Sequence, residues 1–160
     1  MRGILEIITF ATAVACGMAA GVFFAFSAFI MPALDRLRAA EGIAAMQSIN
    51  RLAVTPPFMT ALFAPALSCV ALVVWAALSL DQVEAPWVLA GSVLYLGGTI
   101  VVTIAANVPR NDALAGLDPG DAEAAARWSE YVRGWTAWNH VRTVAALAAT
   151  ALLTIALTVD

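Results

Sequence analysis

Apolar stretches such as FMTALFAPALSCVALVVWAALSL, residues 58–80, decide the fold, because this run contains no charged side chain. A helix needs about 20 apolar residues, at about 1.5 Å each, to cross a hydrocarbon layer roughly 30 Å thick. Three further runs are long enough, namely residues 4–31, 86–106 and 141–159. The sequence therefore predicts four membrane-spanning helices.

The overall composition points to the same class of protein. Hydrophobic residues make up 62% of the 160 residues, charged residues make up 12%, lysine is absent, and the mean hydropathy is +0.88. Soluble domains carry about 25% charged residues. We expect an all-α integral membrane four-helix bundle with short amphipathic cytoplasmic helices, formed as a single domain by residues 1–160. The first run is longer than the apolar core of a secretory signal, so we interpret it as a retained span.

The placement of arginine predicts the orientation. Seven of the eight arginines lie in the connections 32–57 and 107–140 or at the edge of the fourth span. Short loops that carry arginine stay cytoplasmic. We therefore expect both connections to be cytoplasmic and both termini outside, in a bacterial cytoplasmic membrane, although Arg2 opposes this. The net charge of −3 and the lack of a basic cluster in the sequence give no indication of a nucleic-acid partner.

Both cytoplasmic connections carry helical patterns. Ile43, Met46 and Ile49 recur at spacings of three within residues 39–52, which is typical of a short helix along the membrane interface. In the second connection, Gly134 is expected to bend the chain before it enters the bilayer. A helical stripe there indicates either an aromatic belt at headgroup level or rings that wall a pocket for a planar ligand. Its members are Trp128, Tyr131, Val132, Trp135, Trp138, Asn139 and Arg142.

Two segments hint at an internal duplication. Residues 31–37, MPALDRL, and residues 108–114, VPRNDAL, each follow a predicted span and share Pro, Asp and Leu at the same spacing. Two parallel repeats would produce this pattern. A residue-proline pair that simply ends a helix at the membrane face would produce it equally well.

Small residues mark faces where helices approach closely. Gly17 with Gly21, and Gly97 with Gly98, are the clearest examples. These faces meet either within one bundle or between the subunits of a homo-oligomer. The other expected partners are membrane lipids and a hydrophobic small molecule.

Few residues in the chain are able to ligate a metal. Cys16 and Cys69 lie deep in predicted spans without a paired spacing, so we expect them to pack rather than form a redox pair or metal site. His140 is the only histidine, which leaves a zinc or di-metal centre short of ligands. We expect no cofactor, although a haem with one histidine ligand, or a metal site shared between subunits, stays open.

Polar side chains gather at the predicted cytoplasmic face. Each alone is typical of helix capping or hydration, but together they predict a small hydrogen-bonding pocket that opens to lipid, with Ser27 and Thr103 about one turn deeper. The members are Asn50 from the first connection, Asn107 and Asn111 at the end of the third span, and Asn139, His140 and Arg142 at the start of the fourth.

These residues stand in segments that resemble the anthrone oxygenase-like family of small four-span membrane proteins, a largely uncharacterised family catalogued as a domain of unknown function. The segments are residues 21–27, GVFFAFS; 31–34, MPAL; 42–50, GIAAMQSIN; 107–114, NVPRNDAL; and 128–142, WSEYVRGWTAWNHVR. The family takes its name from fungal and bacterial polyketide pathways. The resemblance implies a membrane-embedded oxygenase that oxidises an anthrone-type polycyclic phenolic substrate to an anthraquinone without an obvious cofactor.

The resemblance also implies roles for the polar residues. His140 is expected to be the catalytic base, because a neutral imidazole accepts protons near neutral pH. Arg142 and Asn139 would stabilise the oxyanion of the deprotonated substrate, which then reacts with O₂. Substrate binding would fall to Asn50, Asn107 and Asn111, with Trp135 and Trp138 stacking on its rings.

Other interpretations of the same residues remain open. In the alternative, His140 begins the last span or faces lipid in a purely structural role. The chain as a whole is then a non-catalytic protein that binds a hydrophobe, quinone or lipid, or an accessory subunit of a membrane complex.

Overall fold

The computed structural model describes residues 3–159, which form five helices. Helices make up 86% of it, and no strand occurs in the described part of the chain. Four of the helices, α1, α3, α4 and α5, are long and apolar enough to cross a membrane, so the chain is an integral membrane protein and the predicted all-α fold is confirmed. The bounds are α1 Gly3–Asp35, α2 Ala39–Ala53, α3 Pro56–Leu78, α4 Ala85–Ala115 and α5 Ala124–Ala156.

The four long helices pack as a ring in chain order. α1 contacts α3 and α5, and α4 contacts the same two helices. The core between them consists of small and aliphatic residues, including many alanines. Cys16 and Cys69 are both buried in this core as free thiols, where they fill space between α1 and α3.

Two prolines each follow a π-helical turn in a membrane-spanning helix. Pro32 has no N–H group to donate, and its ring would crowd the carbonyl four residues earlier in a regular α-helix. α1 has π-helical geometry over Phe26–Ile30, and the Met31 N–H group donates to the Phe26 carbonyl. In α4, Thr103–Asn107 has the same geometry at the same offset before Pro109. Residues 31–37 and 108–114, whose similarity suggests a duplication, are therefore each preceded by the same backbone feature, a π-helical turn.

The short helix α2 confirms the amphipathic pattern read in residues 39–52. Its Ile43 and Met46 are buried in a second core, at the end of the bundle where most arginines lie. Trp128 of α5 packs into the space left by Gly42, where an added Cβ would lie 2.8 Å from its Cζ2 atom. Trp128, Tyr131 and Trp135 are 3%, 7% and 5% exposed. For these three rings the aromatic-belt interpretation is wrong, because α2 and the end of α4 cover them.

α5 is one continuous helix over Ala124–Ala156, so Gly134 does not interrupt it, and a bend there stays a prediction. Gly134 makes room for a neighbour, because an added Cβ would lie 2.9 Å from the Nε atom of Arg110. The helix begins at Ala124, after the Asp118-Pro119-Gly120 segment. Asp118 Oδ1 accepts from the Gly120 N–H group at 2.8 Å, which forms a turn before the helix.

The glycine faces serve different purposes. Gly98 packs directly on Ala145, and Gly17 faces Thr150, so both contact α5 within the bundle. At Gly21 and Gly97 an added Cβ would meet no atom within 4 Å. Any homo-oligomer built on these positions would have to use Gly21 or Gly97, and that contact stays a prediction.

Candidate functional site

A cavity of ≈ 400 Å³ lies where α2 meets the ends of the long helices. Its size falls within the range of small-molecule sites, about 300–1,000 Å³. All five helices contribute to it. The apolar lining comes from Val22, Phe23, Phe26, Met46, Ile49, Leu52, Ala53, Val54, Phe58, Met59, Leu62, Val108 and Trp135, and the polar lining from Asn50, Thr103, Asn107, Asn111 and Arg142.

Arg142 is the one titratable side chain among the described residues that line this cavity. It is 5% exposed, although it lies nine residues, or about 13 Å of helix, past Arg133 into the apolar part of α5. Its Nη2 atom donates to Asn139 Oδ1 at 2.7 Å and its Nη1 atom to Thr103 Oγ1 at 3.3 Å. Its Nε atom is buried without a hydrogen-bond partner among the described residues. The Nε–H group of the guanidinium is therefore available to donate to a ligand.

Within residues 3–159, no carboxylate lines the cavity or forms an ion pair with Arg142. The ion pairs there are Arg38–Glu41 and Arg127–Glu123, and both are exposed. Two aromatic faces stabilise the cation instead, with Arg142 Cζ 4.5 Å from the Phe23 ring centroid and 5.1 Å from that of Trp135. Such contacts contribute about 2 kcal/mol each when desolvated. A buried cation without an acid beside an apolar cavity favours an anionic ligand.

Asn139 holds Arg142 in position. Its Nδ2 atom donates to the Phe23 carbonyl at 2.7 Å and to Ser27 Oγ at 2.6 Å, both on α1. Its Oδ1 atom is then left to accept from Arg142. Asn139 is fully buried and does not line the cavity. It therefore positions the guanidinium and does not itself meet a ligand.

The three other asparagines line the cavity directly. Asn111 Oδ1 accepts from Tyr131 Oη at 3.0 Å and from Trp135 Nε1 at 2.9 Å, which fixes two rings of the wall. Asn107 Nδ2 donates to the Trp135 carbonyl at 3.2 Å, while its Oδ1 atom is buried without a partner in the described chain. Asn50 Nδ2 is likewise buried and unpartnered there. The site thus offers unused donors and an acceptor beside the cation.

His140 and Trp138 lie elsewhere. His140 is exposed in an open groove between α1 and α5, together with Arg36 and Arg133, and it does not line the cavity. Trp138 is 40% exposed and does not line the cavity either. The structure therefore brings together Asn50, Asn107, Asn111, Trp135 and Arg142, with Asn139 behind them, and it does not bring the histidine to this group.

The comparison with known proteins identifies the family of the chain. A family model described as anthrone oxygenase matches residues 57–152, which is more than half of the chain. The chain belongs to the anthrone oxygenase family. No curated protein matches it, and no solved structure does.

The match to the anthrone oxygenase family covers α3, α4 and most of α5, and so includes Asn107, Asn111, Asn139 and Arg142. It does not extend to α1 and α2, which supply Phe23 and Asn50 to the site. Within the described residues, no group of three His, Cys, Asp or Glu side chains is placed to hold a metal ion.

Sequence reasoning assigned some polar residues to the site and missed several apolar ones. Gln47 of α2 does not line the cavity, and its Nε2 atom donates to the Leu114 and Leu117 carbonyls, each at 2.9 Å, at the end of α4. The sequence places Phe23 in the first span and gives no role in the site to it, although its ring packs against the Arg142 guanidinium. Its position two turns before Pro32 gives no local signal of that contact, which depends on how α1 packs on α5.

Proposed function

We propose that this member of the anthrone oxygenase family binds a hydrophobic polycyclic phenolic ketone of the anthrone type in the cavity and promotes its oxidation by O₂. The observation that carries the proposal is Arg142, a buried cation with an unpartnered Nε atom at the wall of an apolar cavity. Flat aromatic rings match the apolar lining and the face of Trp135. The substrate oxygen that becomes negative matches the guanidinium.

The proposed chemistry has one substrate, one O₂ and two products. The ring methylene carbon loses a proton, and the resulting negative charge spreads onto the carbonyl oxygen, where Arg142 stabilises it. The electron pair on that carbon then forms a bond to O₂, and protonation gives a hydroperoxide. Loss of water breaks the O–O bond and leaves a second carbonyl. The sum is anthrone plus O₂ giving anthraquinone plus water, with the carbon oxidised and O₂ reduced.

In this proposal, the substrate loses its proton because Arg142 stabilises the anion that remains. No carboxylate or imidazole among the described residues lines the cavity, so water at the cavity mouth accepts the proton. The role of His140 as base, expected from the resemblance, stays a prediction that requires the proton to travel around α5. Replacement of His140 by alanine tests it, because unchanged turnover would make that assignment wrong.

The second candidate is a binding protein for a quinone, lipid or other hydrophobe that performs no turnover. The same apolar cavity favours it, since a cation and a few amides bind a ligand as readily as they stabilise a reaction intermediate. The cavity has no evident base, which is the specific observation in its favour.

One assay separates the two functions. The purified protein, in detergent or nanodiscs, is mixed with an emodin-type anthrone in air, and quinone absorbance and O₂ uptake are followed together. An oxygenase gives one O₂ consumed for each quinone formed, above the rate without protein. A binding protein quenches tryptophan fluorescence on titration with the anthrone or its quinone and leaves the O₂ rate at the uncatalysed level.

Variants then test the site. Arg142→Gln should lower turnover by about 10²–10³-fold, the usual loss for one stabiliser of an oxyanion, while Arg127→Gln on the same helix should not. Ile49→Trp should fill the cavity and abolish binding, whereas Leu67→Trp, which is exposed on the outer face of α3, should leave binding intact. Unchanged turnover in a folded Arg142→Gln protein would overturn the proposed role of the guanidinium.

A further inference from the structure

The groove that contains His140 lies at the level where the apolar surface of the bundle begins. Arg36 follows the long apolar run of α1, and Arg133 is the last exposed charge of α5 before its apolar outer face. Arg36 directly follows α1, whereas Arg133 lies in α5, 97 residues later in the sequence. Packing of α1 on α5 places them in one groove of ≈ 510 Å³, whose lining also includes Asp35, Thr136 and His140.

The charges of this groove are not neutralised by close ion pairs. Arg36, Arg133 and His140 are exposed, as is Asp35. The ion pairs among residues 3–159 involve neither Arg36 nor Arg133. Two guanidinium groups against one carboxylate leave the groove net positive, with an imidazole and a hydroxyl group available as hydrogen-bonding partners.

The groove also has an apolar half. Met31, Pro32, Val132 and Ala137 contribute to its lining. Beyond it, Val144 and Leu147 follow His140 by four and seven residues, so they lie on the same face of α5, and they are 66% and 51% exposed. A positive pocket that continues into an exposed apolar stripe matches an amphiphile with a negative head and a hydrocarbon tail.

We propose that the groove is a binding site for one anionic phospholipid, with the headgroup phosphate held by Arg36, Arg133 and His140 and an acyl chain along Val144 and Leu147. Guanidinium groups bind phosphate oxygens in a fork of two N–H donors. An arginine near a membrane surface strengthens binding of anionic lipid by about fivefold. The site lies outside the Arg142 cavity and does not depend on the proposed function.

The test measures lipid retention by native mass spectrometry. The protein is taken from nanodiscs made of equal parts phosphatidylglycerol and phosphatidylcholine, and stripped with increasing detergent. Wild type should retain one phosphatidylglycerol, and Arg36→Gln/Arg133→Gln should lower that retention by about 25-fold, since each arginine contributes about fivefold. The matched control Arg51→Gln/Arg127→Gln removes the same charge outside the groove and should retain the lipid. Circular dichroism and thermal unfolding check that all three proteins fold alike.

Three results would overturn the proposal. Equal retention of phosphatidylcholine would show that the groove does not select a negative head. Equal loss in both double variants would assign the effect to net charge and not to this groove. Displacement of the lipid by added inorganic phosphate would show that the groove takes a free anion and does not need the acyl chain.

Discussion

At the scale of single residues, one position along a helix separates Asn139 from His140 and gives them opposite surroundings. Neighbouring residues of an α-helix differ by about 100° in direction. Asn139 is fully buried against α1, while His140 is exposed in the groove between α1 and α5. Both residue types were evident in the sequence as candidates for chemistry. Which of them is buried depends on the rotation of α5, which its even spread of apolar residues does not specify.

The first prediction concerns Asn139. Asn139→Ala removes the amide that joins Arg142, Ser27 and the Phe23 carbonyl, and leaves buried groups unpaired. We expect a loss of about 2–3 kcal/mol in the free energy of unfolding, measured by reversible unfolding in mixed detergent. Ser27→Ala keeps the Phe23 bond and should cost only about 0.6 kcal/mol, the usual value for one hydrogen bond between membrane helices. Equal losses in the two variants would contradict the central place of the amide.

At the scale of helices and their ends, prolines and glycines set the fine geometry. π-Helical turns precede Pro32 and Pro109, but Pro65 lies in a regular α-helix and the π-helical stretch Tyr95–Val101 has no proline near it, so proline alone does not predict them. The contacts that a glycine makes are harder to predict from the sequence than the position of a proline. Gly97 and Gly98 are neighbours with identical side chains, yet only Gly98 touches another helix.

The second prediction uses that pair. The Cβ atom of Gly98→Ala would overlap the Cβ atom of Ala145 and push α4 from α5. Overpacking of this kind costs about 1–3 kcal/mol. Gly97→Ala is the matched control and should change the free energy of unfolding by less than about 0.5 kcal/mol. Thermal unfolding of both variants in the same detergent provides the comparison, and two equally stable proteins would contradict the close contact.

The third prediction concerns the start of α2. The Arg38 side chain hydrogen-bonds the Glu41 carboxylate and thereby lowers the pKa of Glu41 below its ordinary value. Because the pKa is lowered on folding, this stabilisation is present above the ordinary pKa and is lost as the pH falls through the lowered one. Glu41→Gln should therefore speed amide hydrogen exchange in the first turn of α2 at neutral pH. At acid pH the variant and the wild type should exchange alike, and in high salt the difference should shrink because both side chains are exposed.

At the scale of the whole molecule, seven arginines lie at one end of the bundle, together with α2 and the cavity. We propose that this end faces the cytoplasm, since arginine in short loops is retained there. The connection between α3 and α4, at the other end, carries Asp81 and Glu84 and no positive charge.

The fourth prediction tests this orientation with a membrane-impermeant maleimide on intact bacterial cells. Cys16 and Cys69 are buried and should not react. Gln82→Cys should be labelled directly, whereas Ala44→Cys on α2 should be labelled only after the inner membrane is opened. The reverse pattern would place the arginines outside.

The sequence by itself determined the four spanning helices, the short helix α2 and the set of polar residues that the site draws on. These are local properties, because the length of an apolar run and the spacing of side chains within one segment do not depend on the rest of the chain. Only the tertiary structure decided that Phe23 and Asn139 hold Arg142 at a cavity, that His140 lies outside that cavity, and that Arg36 and Arg133 line one groove. Each of these depends on the rotation and closeness of two helices. In this chain rich in alanine, the rotation and spacing of the helices are set by side-chain contacts between segments far apart in sequence.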